Sequence, residues 1–147
     1  MEIAILACGC FWGPEIKFGK LNGVYKTEVG YCGGNTSKTS YQEVCEGDTN
    51  HAEVVKLDFD PNIISYEKIL DYFFEIHDPT TLNSQGPDFG TQYRSEIFYL
   101  NDNQKNIAKK MIEKCNKNLS GKLVTKLSQI KNYCTAEEYH QKYLEKR

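Results

Sequence analysis

The run from His51 to Pro61, HAEVVKLDFDP, restricts the fold more than any other part of the chain. Its side chains alternate in the period of a β-strand, with His51, Glu53, Val55, Leu57 and Phe59 on one face and Ala52, Val54, Lys56 and Asp58 on the other. Asp60-Pro61 stops the strand. Ser65 then caps a helix whose apolar residues Tyr66, Ile69, Leu70, Phe73 and Phe74 recur at helical spacing. A strand that feeds such a helix calls for two layers, a sheet on one side and helices on the other.

The flanking sequence extends this pattern. Ile3 to Cys8 is a short apolar strand ended by Gly9. A helix starts near Phe11, with Pro14 in its first turn, where a missing N–H costs little, and stops around Gly19 or Asn22-Gly23. Val24 to Tyr31 reads as a strand broken by CGGN at 32–35, and Tyr93 to Leu100 as another. Asp102 opens a helix with Ile107, Met111, Cys115 and Leu119 as its apolar stripe. Val124 to Ile130 is a last strand, and the capping box Thr135-x-x-Glu138 predicts a final helix. Between them, HDPTTLNSQGPDFGTQ at 77–92 reads as a long structureless loop, a feature that in compact domains is usually functional.

The order βαββαβαβα predicts an α/β (α+β) fold, a two-layer mixed β-sheet with flanking helices around a ferredoxin-like βαββαβ core. Residues 1–147 contain no repeat, low-complexity tract or linker and are expected to form a single catalytic domain. With 147 residues the chain can bury a core without disulfide staples. Its net charge of −2 supplies no basic field for nucleic acid. The longest apolar run is too short to cross a membrane, and Met1-Glu2 lacks the basic start of a secretory signal, so a cytoplasmic address is expected.

There the six cysteines, Cys8, Cys10, Cys32, Cys45, Cys115 and Cys134, are expected as free thiols. No Cys-x-x-Cys pair occurs and His51, His77 and His140 lack zinc-finger spacing, which disfavours a metal site. Cys10 lies where a strand turns into a helix. The free N–H groups there favour an anion, so its thiol is expected to ionise more readily. Phe11 and Trp12 beside it offer an apolar wall for a methyl or thioether group. Alternatively, Cys10 is a small buried hydrophobe and the aromatics are core.

Glu53 shares the expected buried face with Val55, Leu57 and Phe59, which would raise its pKa and fit it as a general acid. Its position near the strand end leaves open a carboxylate that reaches water. Tyr41 and Tyr93 sit in loop-like segments, and a phenol there can bond a polar oxygen, although spacing alone does not promote either. Asp88 can bond a substrate or hold the turn around Gly86-Pro87 and Gly90. Cys115 is expected in the core. Cys32 and Cys45 flank a Gly-rich loop that can approach Cys10. Cys8 shares its strand face with Cys10 if the strand continues that far, but a bond between them would close a strained ring. The three histidines read as satisfied structural residues.

Five separated motifs then carry a resemblance. GCFWG at 9–13, GYCGG at 30–34, HAEVVKLDFDP at 51–61, GTQYRSEIFY at 90–99 and AEEYHQKYL at 136–144 closely resemble the type A peptide methionine sulfoxide reductases, in order and over almost the whole chain. The resemblance implies reduction of methionine S-sulfoxide, free or in proteins, to methionine. It implies Cys10 as the nucleophile, Phe11 and Trp12 as the seat of the substrate methyl, and Glu53 as the acid that protonates the departing oxygen. Tyr41 and Tyr93 would bond that oxygen, with Asp88 as the loop aspartate of the site.

A sulfoxide oxygen leaves poorly until protonated, so a soft nucleophile and an acid must act together. A sulfenic acid on Cys10 would follow and require a second thiol. Many members carry that thiol in a tail beyond the YHQ segment, and none follows it here. Cys32, Cys45 and Cys134 remain as internal candidates, with thioredoxin, glutaredoxin, glutathione or dithiothreitol as external reductant and no bound cofactor. Cys134 stands where the family usually has an aromatic, and Cys8, Asn50 and Pro87 are further departures. The competing readings are a thiol redox sensor or metal-binding module, which leaves Glu53 without a task, and a thiol peroxidase, which has no need of the aromatic wall.

Overall fold

Strand β1 (Glu2–Cys8) is apolar along most of its length because it has neighbours on both edges and cover on both faces. In the computed structural model, which describes residues 1–46 and 49–146, it pairs antiparallel with β3 (Ala52–Phe59) on one edge and β6 (Ser95–Tyr99) on the other. Strand β2 (Val24–Cys32) lies antiparallel on the far side of β3. The row β6-β1-β3-β2 is the ferredoxin-like order that the sequence predicts. Two short strands widen it to six, β7 (Lys126–Gln129) parallel to β6 and β8 (Cys134–Thr135) antiparallel to β2. The sheet is therefore mixed.

Helices α1 (Trp12–Gly19), α3 (Tyr66–Glu75) and α4 (Asp102–Asn118) cover one face. Phe18, Phe73 and Met111 from these helices pack with Leu6, Val29, Val55, Leu57 and Phe59 from the strands. Ile5, Ala7, Cys32, Ala52, Val54 and Phe98 face the other way, against Ile130 and Tyr133. The predicted cap of α3 is present, since the Ser65 hydroxyl accepts the Lys68 N–H at 3.1 Å. Helix α4 begins at Asp102 as predicted, capped by the Asn101 side chain on the Gln104 N–H.

Several boundaries differ from the sequence reading. A short helix, α2 (Tyr41–Glu46), has no forerunner in it. The segment 77–92 is not structureless: it holds a hairpin of β4 (Ser84–Gln85) and β5 (Asp88–Phe89), then a 3₁₀ turn at Thr91–Tyr93. Tyr93 thus precedes strand β6 instead of opening it. Asp78 supplies the local order by accepting the Thr80 N–H, and Gly86 supplies the left-handed turn residue at φ 56°.

The predicted final helix does not form, and only Glu138–His140 makes a single 3₁₀ turn. Thr135, expected as its cap, instead donates its hydroxyl to Glu28. The Gln141 carboxamide accepts the Val29 N–H and donates to the Val29 carbonyl, both at 2.9 Å, so a side chain prolongs the pairing that β8 begins. Buried Glu15 accepts the Lys142 N–H at 2.7 Å and fixes the segment farther along. These tethers outcompete helical hydrogen bonds.

Gly34 shows how tightly the loop after β2 is held. A Cβ there would lie 2.4 Å from His51 Cγ and from the Thr49 carbonyl oxygen, and the Gly34 N–H donates to His51 Nδ1 at 3.1 Å. Gly34→Ala is expected to cost about 1–3 kcal/mol through overpacking. Urea unfolding checks this, and an unchanged midpoint would show that the loop yields.

Candidate active site

The site forms where β1 turns into α1. Gly9 adopts φ 94°, which turns the chain out of the strand and leaves no side chain in the way of Gln85, whose Cγ would lie 2.7 Å from a Cβ there. The β4–β5 hairpin can therefore close over this junction, and it carries Asp88 into electrostatic range of Cys10 and Glu53. The strand ends at Cys8, so Cys8 and Cys10 do not share a strand face. Cys8 is buried under the helices and Cys10 is half-exposed.

Helix α1 has no side-chain cap of its own. Glu53 on β3 partly fills that place, since its Oε1 accepts the Phe11 N–H at 3.2 Å. Glu53 is 1% exposed and points to the helix-covered face, which excludes the alternative of a carboxylate in water. Its other oxygen, Oε2, is buried without a partner. Burial, opposed by the Phe11 N–H and reinforced by Asp88, pushes its pKa up to about 8. At neutral pH Glu53 is mostly a protonated acid with a free donor.

For Cys10 the expectation from helix position is reversed. Burial raises its pKa to about 11, outweighing the Trp12 N–H that stabilises the thiolate, and Glu53, Asp88 and Cys45 raise it further. A short helix end cannot compensate for removal from water in an acidic neighbourhood.

Tyr41, at the start of α2, and Tyr93, in the 3₁₀ turn, complete the cluster from opposite sides. Tyr41 and Tyr93 lie within electrostatic range of each other, of the Cys45 thiol and of Glu53. Burial raises the Tyr93 pKa to about 12 and that of Tyr41 beyond it, so both are neutral donors. Phe11 is buried, whereas Trp12 is half-buried with its ring stacked on Tyr143 at 3.8 Å. A thiol, a protonated carboxyl with a free oxygen, two phenols and an aromatic wall thus converge. That set can deliver sulfur to an electrophile while donating protons to its oxygen.

Comparison with known proteins agrees with this chemistry. The peptide methionine sulfoxide reductase family matches residues 2–147. The chain belongs to that family. It is 76% identical over the full length of both chains to the peptide methionine sulfoxide reductase MsrA of Pelagibacter ubique. With the MsrA of Pasteurella multocida it shares 50% identity over 96% of this chain and 81% of the relative. The reduced form of Mxr1 from Saccharomyces cerevisiae superposes with a TM-score of 0.93 at 44% identity, covering 99% of this chain and 85% of the yeast chain. The protein is a reductase of methionine sulfoxide, an oxidoreductase.

The reductase brings together Cys10, Phe11, Trp12, Glu53, Tyr41, Tyr93 and Asp88, with the Cys45 thiol in electrostatic range of Cys10, Tyr41 and Tyr93. Cys32 is fully buried on the opposite face of the sheet and donates to the Lys131 carbonyl. Cys134 lies at the far edge, paired with Tyr31, its thiol turned toward the Thr39 carbonyl. Cys115 is half-buried beside Asp71, Phe74 and Met111, less enclosed than expected.

His51 and His77 are satisfied structural residues, as expected: His51 Nε2 bonds the Thr36 carbonyl, and His77 bonds Phe73 and Ser95. His140 is not bland. It is buried with its ring 4.6 Å from Tyr41, and its Nδ1 accepts the Trp12 indole N–H at 3.0 Å. Glu137 also escapes the sequence reading. It accepts the Tyr31 hydroxyl and the Tyr41 N–H, and so holds α2 against the sheet. The only sequence signal for both is their place in AEEYHQKYL.

Proposed function

We propose that residues 1–147 act as one catalytic domain that reduces methionine S-sulfoxide, free or in proteins, through a sulfenic acid on Cys10. The observation that carries this reading is Glu53 Oε2, a buried carboxyl oxygen without a partner on an acid whose pKa is near 8, held beside the nucleophile through the Phe11 N–H. Phe11 and Trp12 seat the substrate methyl. Glu53 protonates the sulfoxide oxygen, assisted by hydrogen bonds from Tyr41 and Tyr93, while Asp88 helps hold Glu53 protonated.

Polarised in this way, the substrate sulfur accepts Cys10 Sγ. The sulfur–oxygen bond breaks, the oxygen ends on Cys10 as the sulfenic acid, the thioether leaves, and the thiol proton restores Glu53. The substrate sulfur is reduced by two electrons and Cys10 is oxidised by two. A high thiol pKa fits this order, because proton release follows engagement of the substrate.

Recycling falls to a dithiol such as thioredoxin, with glutaredoxin or glutathione as other donors. The yeast Mxr1 solved in complex with Trx2 supports this choice, with a TM-score of 0.68 at 28% identity over 97% of this chain. A thiol-reducing, cytoplasmic setting belongs to the same reading, and all six cysteines are free in the structure. Among the described residues no helix is long and apolar enough to cross a membrane.

Reduced protein freed of reductant and mixed with excess methionine S-sulfoxide is expected to release a single methionine per chain, and none from the R epimer. Equal yields from both epimers would overturn the stereochemical assignment. No methionine from either would overturn the reading itself.

A further inference from the structure

We infer that Cys45, an exposed thiol of α2, resolves the Cys10 sulfenic acid in this chain. The inference rests on the reductase reading above and adds the next step to it.

Three features point to Cys45. It lies one helical turn after Tyr41, so the two side chains share a face of α2, and the Tyr41 ring sits 4.6 Å from His140, which is bonded to Trp12 beside Cys10. That face lies within electrostatic range of Cys10, Glu53 and Tyr93. Cys45 is also exposed, whereas Cys8 and Cys32 are buried. A disulfide formed there remains within reach of an incoming dithiol.

The other thiols are placed against this role. Cys32 is separated from the site by the sheet. Cys134 shares a row with Tyr31 and Glu53 across β8, β2 and β3, so its backbone stands two strand spacings, roughly 10 Å, from that of Glu53. The fully buried Tyr31 ring, tied to Glu137, fills the gap. Cys8 is too close in sequence to form an unstrained bridge with Cys10. Cys115 belongs to a groove between α3 and α4.

Helix α2 is also a light element to move. It has six residues, one buried side chain, Val44, and the Glu137 contact to the Tyr41 N–H. The step balances without a further oxidant. Cys45 Sγ attacks the sulfenic sulfur of Cys10, the sulfur–oxygen bond breaks, and the hydroxyl leaves as water with the thiol proton. The Cys10–Cys45 disulfide holds the two electrons' worth of oxidation, and a dithiol reductant then restores both thiols.

The test is a disulfide map of the unmodified protein after one turnover with methionine S-sulfoxide and no reductant, with dimedone present in a parallel sample. A Cys10–Cys45 linkage is expected, with little dimedone adduct. Cys45→Ser is expected to lose the disulfide and carry dimedone on Cys10, while Cys134→Ser keeps the Cys10–Cys45 linkage. Methionine release with a lasting sulfenic acid in the unmodified protein, or with Cys10 bridged to Cys32 or Cys134, would overturn the assignment of Cys45 and leave the reductase reading standing. Absence of methionine would overturn both.

Discussion

Glu53→Gln is expected to slow methionine sulfoxide reduction by about 10²–10⁴-fold, the range over which a positioned general acid contributes. Glutamine keeps the shape and can still accept the Phe11 N–H, so the loss isolates the proton that Oε2 would supply. The natural chain should lose activity as pH rises through about 8, where Glu53 gives up that proton, and the variant's residual rate should lack this limb.

Stability moves in a defined direction too. Between the ordinary carboxyl value of 4.5 and about 8, an unfolded Glu53 has released its proton while the folded one keeps it. Folding stability from this group therefore falls as pH rises across that window and levels off above it. The folded chain holds a proton that the unfolded chain gives up freely, and by pH 8 this destabilises the fold by on the order of several kcal/mol. Glu53→Gln should be more stable than its parent at pH 8, with the gap closing toward pH 4.5. Thermal unfolding at the two pH values measures this, and an unchanged gap would place Glu53 in water.

Cys10→Ser is expected to abolish methionine formation outright. A hydroxyl is a much harder and less acidic nucleophile than a thiol, and it has no counterpart to the sulfenic acid that carries the oxygen away in the proposed mechanism. The fold should survive, because Cys10 is half-exposed and a serine oxygen can accept the same Trp12 N–H. Cys8→Ser provides the contrast. That thiol is buried among apolar groups, and a hydroxyl there without a partner should cost about 1–3 kcal/mol. Activity at a temperature where Cys8→Ser stays folded should be close to the parent's, and a total loss there would assign chemistry to Cys8 as well.

Legibility in the sequence follows how local each cause is. The β1–α1 junction, the alternation of β3, the Ser65 cap and the inward side of Glu53 depend on residues near one another, and each can be read off directly. The final helix fails for the opposite reason. Its capping box is sound locally, but Glu28, Val29 and Glu15, each more than a hundred positions from its partner, take the bonds the helix needs. His140 escapes in the same way, since its only distinguishing partner is Trp12 across the fold. The Cys10 thiol differs from expectation through magnitude: the helix end is legible, but the depth of the pocket and its acidic neighbours depend on the hairpin that Gly9 admits. Tyr41 and Tyr93 carry no local signature, and only tertiary packing brings both within range of Glu53.

Trp12 is the only tryptophan in the chain. Stacked on Tyr143 and bonded through its indole N–H to His140, it makes the emission excited at the red edge, where tyrosine does not absorb, a report from the proposed substrate wall. With Trp12 in its proposed role, occupancy by a sulfoxide, release of the thioether and any movement of the carboxy-terminal segment are expected to alter the surroundings of that one ring. The enzyme therefore carries a built-in optical probe, and its individual steps can be timed by stopped-flow fluorescence without a label.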